Sequence, residues 1–217
     1  MILKFTDGNE LESGTIYGIG QNYAEHAREL GGEVPKDPVV FIKPGSALLE
    51  DGGTVLLPDF SENVHHEVEL VVVLGRDCSN IKKEDAGEYI AGFAVGIDVT
   101  LRDVQSRAKE KGHPWAVAKG FRRSAPISKI IPFSEIGNTN HVFQLELYVN
   151  GEQRQFDKTD KMERQADLLV EYLSSVFDLR KGDLIFTGTP KGVSKLNSGD
   201  KVKAVLTNYL ELNINIK

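Results

Sequence analysis

Apolar and polar positions along this chain alternate or cluster in ways that mark strands more often than helices. Residues 1–5 begin strand-like, and TIYGIG at 15–20 reads as a second strand. A helix is expected from Tyr23 to Leu30, stopped by Gly31-Gly32, with EVPKDP as a loop. VVFIKP is a strand cut off by Pro44, and TVLLP is another. Within NVHHEVELVVVLG, residues 63–75, the run from Leu70 to Val73 reads as a buried β segment.

KKEDAGEYI suggests a short helix, and AGFAVGIDVT an apolar strand ending at Asp98. LRDVQSRAKEKG has helical character up to Gly112. Phe143, Leu145, Leu147 and Val149 alternate ahead of Asn150-Gly151, a strong hairpin signal. DKMERQADLLVEYLSSVF predicts an amphipathic helix with Met162, Ala166, Leu169, Leu173 and Val176 on one stripe. KGDLIFTG and SGDKVKAVL each place a Gly-Asp turn before a strand, and LELNINIK alternates once more. The expectation is a β-rich α+β fold, rolled or sandwiched, with a few peripheral helices.

Composition narrows the partners. With 217 residues the chain can bury one substantial core, and with no Pro/Gly/Ser-rich linker a single domain spanning 1–217 is expected. The net charge of −6 argues against a nucleic-acid partner, which calls for a concentrated basic face. A small anion can still bind where a few cations are focused in one cleft. Cys78 is the sole cysteine, so no intrachain disulfide forms and a cytoplasmic address is favoured. The start lacks the regions of a signal peptide, and no apolar run approaches the ~20 residues that span a bilayer.

The candidate chemistry gathers in a few places. On a strand, Glu67 and Glu69 share a face about 7 Å apart. Two carboxylates that close repel, unless one is protonated or a divalent cation sits between them. Oxygen ligands favour Mg²⁺, Mn²⁺ or Ca²⁺ over zinc, and Asp98 is a natural third ligand. The plainer alternative is a solvated edge strand. His65 and His66 read as hydrogen-bonded structural histidines. His26 and Glu29, at i and i+3, can pair as a general base or stand as a surface pair. Arg102 and Gln105 lie one turn apart, and Lys119 ends the apolar PWAVA, either snorkelling or aimed at an anion. FTGTPKGV is a strand and Gly-rich turn offering the Thr189 hydroxyl, without the ending of a phosphate loop. GIGQNY lacks the third glycine of a dinucleotide fingerprint.

Read in order, GIGQNYAEHAREL, PVVFIKP, NVHHEVELVVVLG, GIDVTLRDVQ, GHPWAVAKGF, VNGEQRQ and GDLIFTGTPKGV resemble the fumarylacetoacetate hydrolase family. The likeness is to its short single-domain branch of acylpyruvate hydrolases and oxaloacetate decarboxylases. It implies a mixed β-roll, a homodimer, and Mg²⁺ or Mn²⁺ held by Glu67, Glu69 and Asp98. It further implies His26 and Glu29 as a water-activating dyad, Lys119 as the stabiliser of an enolate, and Arg102, Gln105 and Thr189 as substrate-holding residues. The activity implied is metal-dependent cleavage of the C3–C4 bond of 2,4-dioxo acids, with oxaloacetate decarboxylation alongside it. The alternative is an isomerase or tautomerase acting on oxaloacetate or on 2-hydroxyhepta-2,4-diene-1,7-dioate-type compounds. His113, Arg122 and Arg123 depart from the family pattern and leave the substrate's distal group open.

Overall fold

The computed structural model describes residues 1–29 and 31–217. Its larger sheet is built on β1 (Ile16–Gly20), β2 (Val39–Lys43), β3 (Leu48–Glu50), β5 (Val68–Leu74), β6 (Ile90–Ile97), β7 (Ala125–Ile127) and β10 (Leu184–Phe186). The smaller sheet contains β4 (Thr54–Val55), β8 (Gln144–Val149), β9 (Glu152–Lys158), β11 (Lys201–Leu206) and β12 (Leu210–Ile216). In the larger sheet the order is β2-β1-β10-β5-β6-β7-β3, with β10/β1 and β7/β3 parallel and the other pairs antiparallel. The smaller runs β9-β8-β11-β12-β4. The fold is thus the expected β-rich mixed roll with few helices.

Burial explains why β5 is apolar almost throughout. One of its faces, Val68, Leu70, Val72 and Leu74, packs with Phe93, Val95 and Ile97 of β6 against Leu145, Leu147, Ala204 and Leu212 of the smaller sheet. On its other face Val71 and Val73 meet Ile16, Leu184 and Phe186, and this second core is closed by Leu3 and Phe5 of the N-terminal segment. A strand covered on both sides cannot alternate apolar with polar. The hairpin at Asn150-Gly151 forms as expected, both residues having positive φ (52° and 84°) in a turn that suits β-strand twist.

The helices are α1 (Ala24–Glu29), α2 (Arg102–Glu110), α3 (Ala116–Lys119), a single turn at Phe133–Ile136, and α4 (Ala166–Val176). Expected helix α1 is present, although Leu30 lies outside the described residues. KKEDAGEYI forms a 3-10 turn, Lys83–Glu88, instead of an α-helix. The amphipathic helix begins later than its periodicity predicts, so Met162 is not part of its stripe; at the other end Val176, its last residue, is 55% exposed and off the buried face. The cause is Asn22. Its side chain accepts the Arg164 N–H at 2.9 Å and donates to Arg164 O at 2.9 Å and Thr187 O at 2.8 Å. Its backbone carbonyl takes the Glu163 N–H. Residues 163–164 are therefore claimed by a distant loop before a helix can use them.

Asn22→Leu strips three partners from buried or half-buried backbone groups and is expected to cost at least about 2 kcal/mol in urea unfolding. An unchanged midpoint would show that the stitch carries no weight.

Candidate active site

The antiparallel register of β5 and β6 makes the site. Val68 pairs with Ile97 and Glu69 with Gly96, and the Asp98 N–H donates to Glu67 O at 2.8 Å. Glu67, just before one strand, therefore faces Asp98, just after the other. One oxygen from each of Glu67, Glu69 and Asp98 lies within 4.8 Å of the others, and all three side chains are buried. The solvated-edge alternative fails, because β5 is flanked on both sides by β10 and β6.

Three cations hold two of these acids, Glu67 and Asp98. Arg102, first residue of α2, hydrogen-bonds Glu67 through Nη2 and donates to Gln105 Oε1 through Nη1 at 2.7 Å. Lys119, last residue of α3, places Nζ 2.7 Å from Glu67 Oε2, 2.5 Å from Asp98 Oδ2 and 2.7 Å from Thr100 Oγ1. It is neither snorkelling nor free; its ammonium sits among the carboxylates. The third, Lys43 at the end of β2, gave no signal in sequence beyond a lysine closing an apolar run. It is fully buried, donates to Ser124 O at 2.7 Å and Ser124 Oγ at 3.1 Å, and lies 2.6 Å from Asp98 Oδ1. The charges of three acids and three cations thus cancel.

The acids are not equivalent. Burial, then the charges of Asp98 and Glu67, pushes the Glu69 carboxyl well above the usual range. Burial alone would raise Glu67 too, but Lys119 and Arg102 outweigh it and hold Glu67 well below its ordinary value. Burial likewise works against the Lys119 charge, yet Asp98 and Glu67 raise its pKa. For Lys43 burial wins, and its pKa is lowered despite Asp98. Two observations fit a hard divalent ion on this set. Asp98 Oδ1 is buried and has the Lys43 ammonium, 2.6 Å away, as its one neighbour of opposite charge among the described residues. Glu69 receives the Gly188 N–H at 2.8 Å and, among the described residues, no cationic donor. An all-oxygen set in which Glu69 lacks a cation of its own suits Mg²⁺ or Mn²⁺.

Beside the acids stands the dyad. His26 Nδ1 is 3.0 Å from Glu29 Oε2, so a neutral imidazole carries its proton on Nδ1 and leaves Nε2 as the base. Glu29 Oε1 in turn accepts the Gly192 N–H at 3.0 Å. Thr189 lies opposite, its hydroxyl accepting from Gln155 Nε2 at 2.8 Å. Gln155 escaped sequence reading because GEQRQ looks exposed, yet its side chain also accepts the Val68 N–H and bonds His66 Nδ1. His66, closed by Ser194 Oγ at 2.8 Å, is the structural histidine expected. His65 pairs with Asn63, and burial lowers its pKa to about 4.

A narrow cleft is lined by His26, Glu67, Glu69, Arg102, Gln105, Lys119 and Thr189, so every candidate side chain except Glu29, which stands behind His26, and the deeper Asp98 reaches it. Phe41, Trp115 and Lys109 line it as well. His113, Arg122 and Arg123, the departures from the family pattern, do not. Arg102 Nε is buried with no acceptor among the described residues. Wider grooves elsewhere, such as one bounded by residues 1–4, 127–129 and 209–211, lack this convergence.

Known proteins resemble this chain along nearly its whole length. The family model "Fumarylacetoacetate (FAA) hydrolase C-terminal" matches residues 15–216. The chain is 40% identical over 202 residues to the mitochondrial oxaloacetate tautomerase FAHD1 of Bos taurus, covering 93% of this chain and 91% of that protein. The fumarylpyruvate hydrolase of Pseudomonas aeruginosa, solved with Mn²⁺ and pyruvate, superposes with a TM-score of 0.95 at 36% identity, covering 100% of this chain and 95% of that one. The 2-hydroxyhepta-2,4-diene-1,7-dioate isomerase of Mycobacterium marinum gives 0.83 at 31%, covering 95% and 75%.

Lys43→Met removes a fully buried counter-charge from Asp98. It is expected to destabilise the protein by about 3–5 kcal/mol in denaturant unfolding. A loss below 1 kcal/mol would mean that Lys119 alone neutralises Asp98.

Proposed function

The chain belongs to the fumarylacetoacetate hydrolase family, and from that premise we propose that it is a metal-dependent hydrolase. It cleaves the C3–C4 bond of 2,4-dioxo acids to pyruvate and a carboxylic acid, acting as one catalytic domain over residues 1–217. The observation that carries this reading is that His26, held by Glu29, lines the same cleft as the buried acids. Isomerisation moves protons within one molecule and has no need of a base for water.

Glu67, Glu69 and Asp98 hold Mg²⁺ or Mn²⁺, which when bound supplies Lewis-acid polarisation of the substrate's keto oxygen. The remaining steps belong to the protein. Arg102 and Gln105, with Thr189 across the cleft they line, fix the keto-acid end of the substrate. His26 Nε2 takes a proton from water while Glu29 keeps Nδ1 protonated and stabilises the imidazolium. The hydroxide adds to C4, the C3–C4 bond breaks, and its electron pair passes to the pyruvate fragment. Lys119 faces the negative charge that builds there, and protonation at C3 completes pyruvate.

A second reading rests on the relatives at about 40% identity, which carry the name oxaloacetate tautomerase. Under it the same charged wall would steady an enol or enolate of oxaloacetate, by tautomerisation or loss of CO₂, without water. Cytoplasmic placement and a homodimer complete the proposal. No helix among the described residues is long and apolar enough to cross a membrane. Edge strand β2 exposes Ile42 (48%) beside half-buried Val39 and Val40, a surface suited to pairing with a second copy.

Assay of acetylpyruvate and oxaloacetate, with Mg²⁺, with Mn²⁺ and with chelator, separates the readings. Hydrolysis in metal, none in chelator, is the expected result; turnover of acetylpyruvate undiminished in excess chelator would refute the proposal. Glu29→Gln and His26→Ala should lower kcat for hydrolysis by about 100-fold or more while sparing decarboxylation. Glu69→Ala should abolish both. Equal losses on both substrates in the dyad variants would favour the tautomerase reading.

A further inference from the structure

The cleft-facing side of α2 carries Arg102, Gln105 and Lys109, spaced i, i+3 and i+7 on one helix face. The first two are buried among the acids, whereas Lys109 is exposed at the mouth. A rise of 1.5 Å per residue places Lys109 about 10 Å beyond Arg102 along the axis. Its Nζ lies 6.0 Å from the centroid of the Trp115 ring, which also lines the cleft. Phe41 packs on Trp115 at 6.0 Å between centroids, so the wall between the acids and Lys109 is apolar.

Charge separates Lys109 from the other cleft cations. Lys119 and Arg102 are engaged by Glu67 and Asp98. None of the ion pairs among the described residues involves Lys109. Its neighbour Arg107 pairs with Asp103 on another side of the helix, and Lys191 pairs with Glu25. Among the described residues, Lys109 is thus the cleft-lining cation outside every ion pair, free to meet an anion at the mouth.

We propose that Lys109, seated beside Trp115 at the mouth of the cleft, is a specificity-determining residue that reads a carboxylate at the far end of the substrate. The preferred substrates are then 2-keto or 2,4-dioxo acids whose carbon tail lies along Phe41 and Trp115 and ends in a second carboxylate. This rests on the hydrolase reading for the reaction but not for the binding. A charged tail would otherwise be disfavoured by a chain of net charge −6. Lys109 gives it a local partner, at a distance from the acids that a methyl-ended tail cannot exploit.

Calorimetry with Mn²⁺-loaded protein and two keto acids of equal length, 2-oxoadipate and 2-oxohexanoate, tests this without any turnover. Wild type should bind 2-oxoadipate more tightly. Lys109→Met should weaken 2-oxoadipate about tenfold, the scale of one charge-assisted hydrogen bond, and leave 2-oxohexanoate unchanged. Equal effects on both ligands, or on neither, would overturn the proposal. In steady-state assays the same variant should raise KM for succinylpyruvate with kcat held, and change neither constant for acetylpyruvate. Should wild type cleave neither compound, the hydrolase reading fails while the calorimetry still decides the role of Lys109.

Discussion

Buried carboxylates repel each other and lose their hydration, and three of them meet at the end of one β-ladder in this protein. The arrangement survives because Lys43, Lys119 and Arg102 are brought to the same point from a strand, a one-turn helix and the start of a longer helix. Each cation has a different task. Lys43 is locked behind Asp98 by Ser124 and is closed to solvent. Arg102 and Lys119 stand on the cleft side, where they can face both the acids and an incoming anion. A divalent ion added to a neutral cluster leaves surplus positive charge, which is the condition under which an anionic keto acid is drawn into an otherwise acidic protein.

The rest of the fold serves to hold that cluster still. Gln155 reaches from the smaller sheet to the N–H of Val68, to His66 and to Thr189, so the cleft wall is braced by a strand with no chemistry of its own. Asn22 binds the end of β10 to the chain before α4 in the same manner. Gly192, with φ of 98°, brings its N–H to Glu29, and a side chain there would collide with Arg154 O. The His26–Glu29 pair is therefore oriented from a loop remote in sequence, while the acids are oriented by strand register.

What could be read from the sequence was whatever a few consecutive residues determine. The Val-rich run of β5, the Asn-Gly hairpin and the acidic residue closing β6 each declare themselves locally, and the family resemblance ordered them into a site. Lys43, Gln155 and Asn22 did not, because their partners lie far along the chain: 55 positions separate Lys43 from Asp98, and the Asn22–Arg164 bond spans 142. The late start of α4 has the same origin, since tertiary hydrogen bonds overrode its periodicity. Arg122, Arg123 and His113 stood out as departures yet fall outside the cleft, whereas Lys109 attracted no notice within a polar helix. Which face of a helix meets a cavity is decided by packing, not by local composition.

The central claim is that Glu67, Glu69 and Asp98 share one hard ion. Diffraction at the manganese edge from a crystal grown with Mn²⁺ tests it most directly. The account predicts a single anomalous peak per chain within coordination distance of all three carboxylates. A peak elsewhere, or one that touches fewer than two of them while Lys119 keeps its place among the acids, would contradict it.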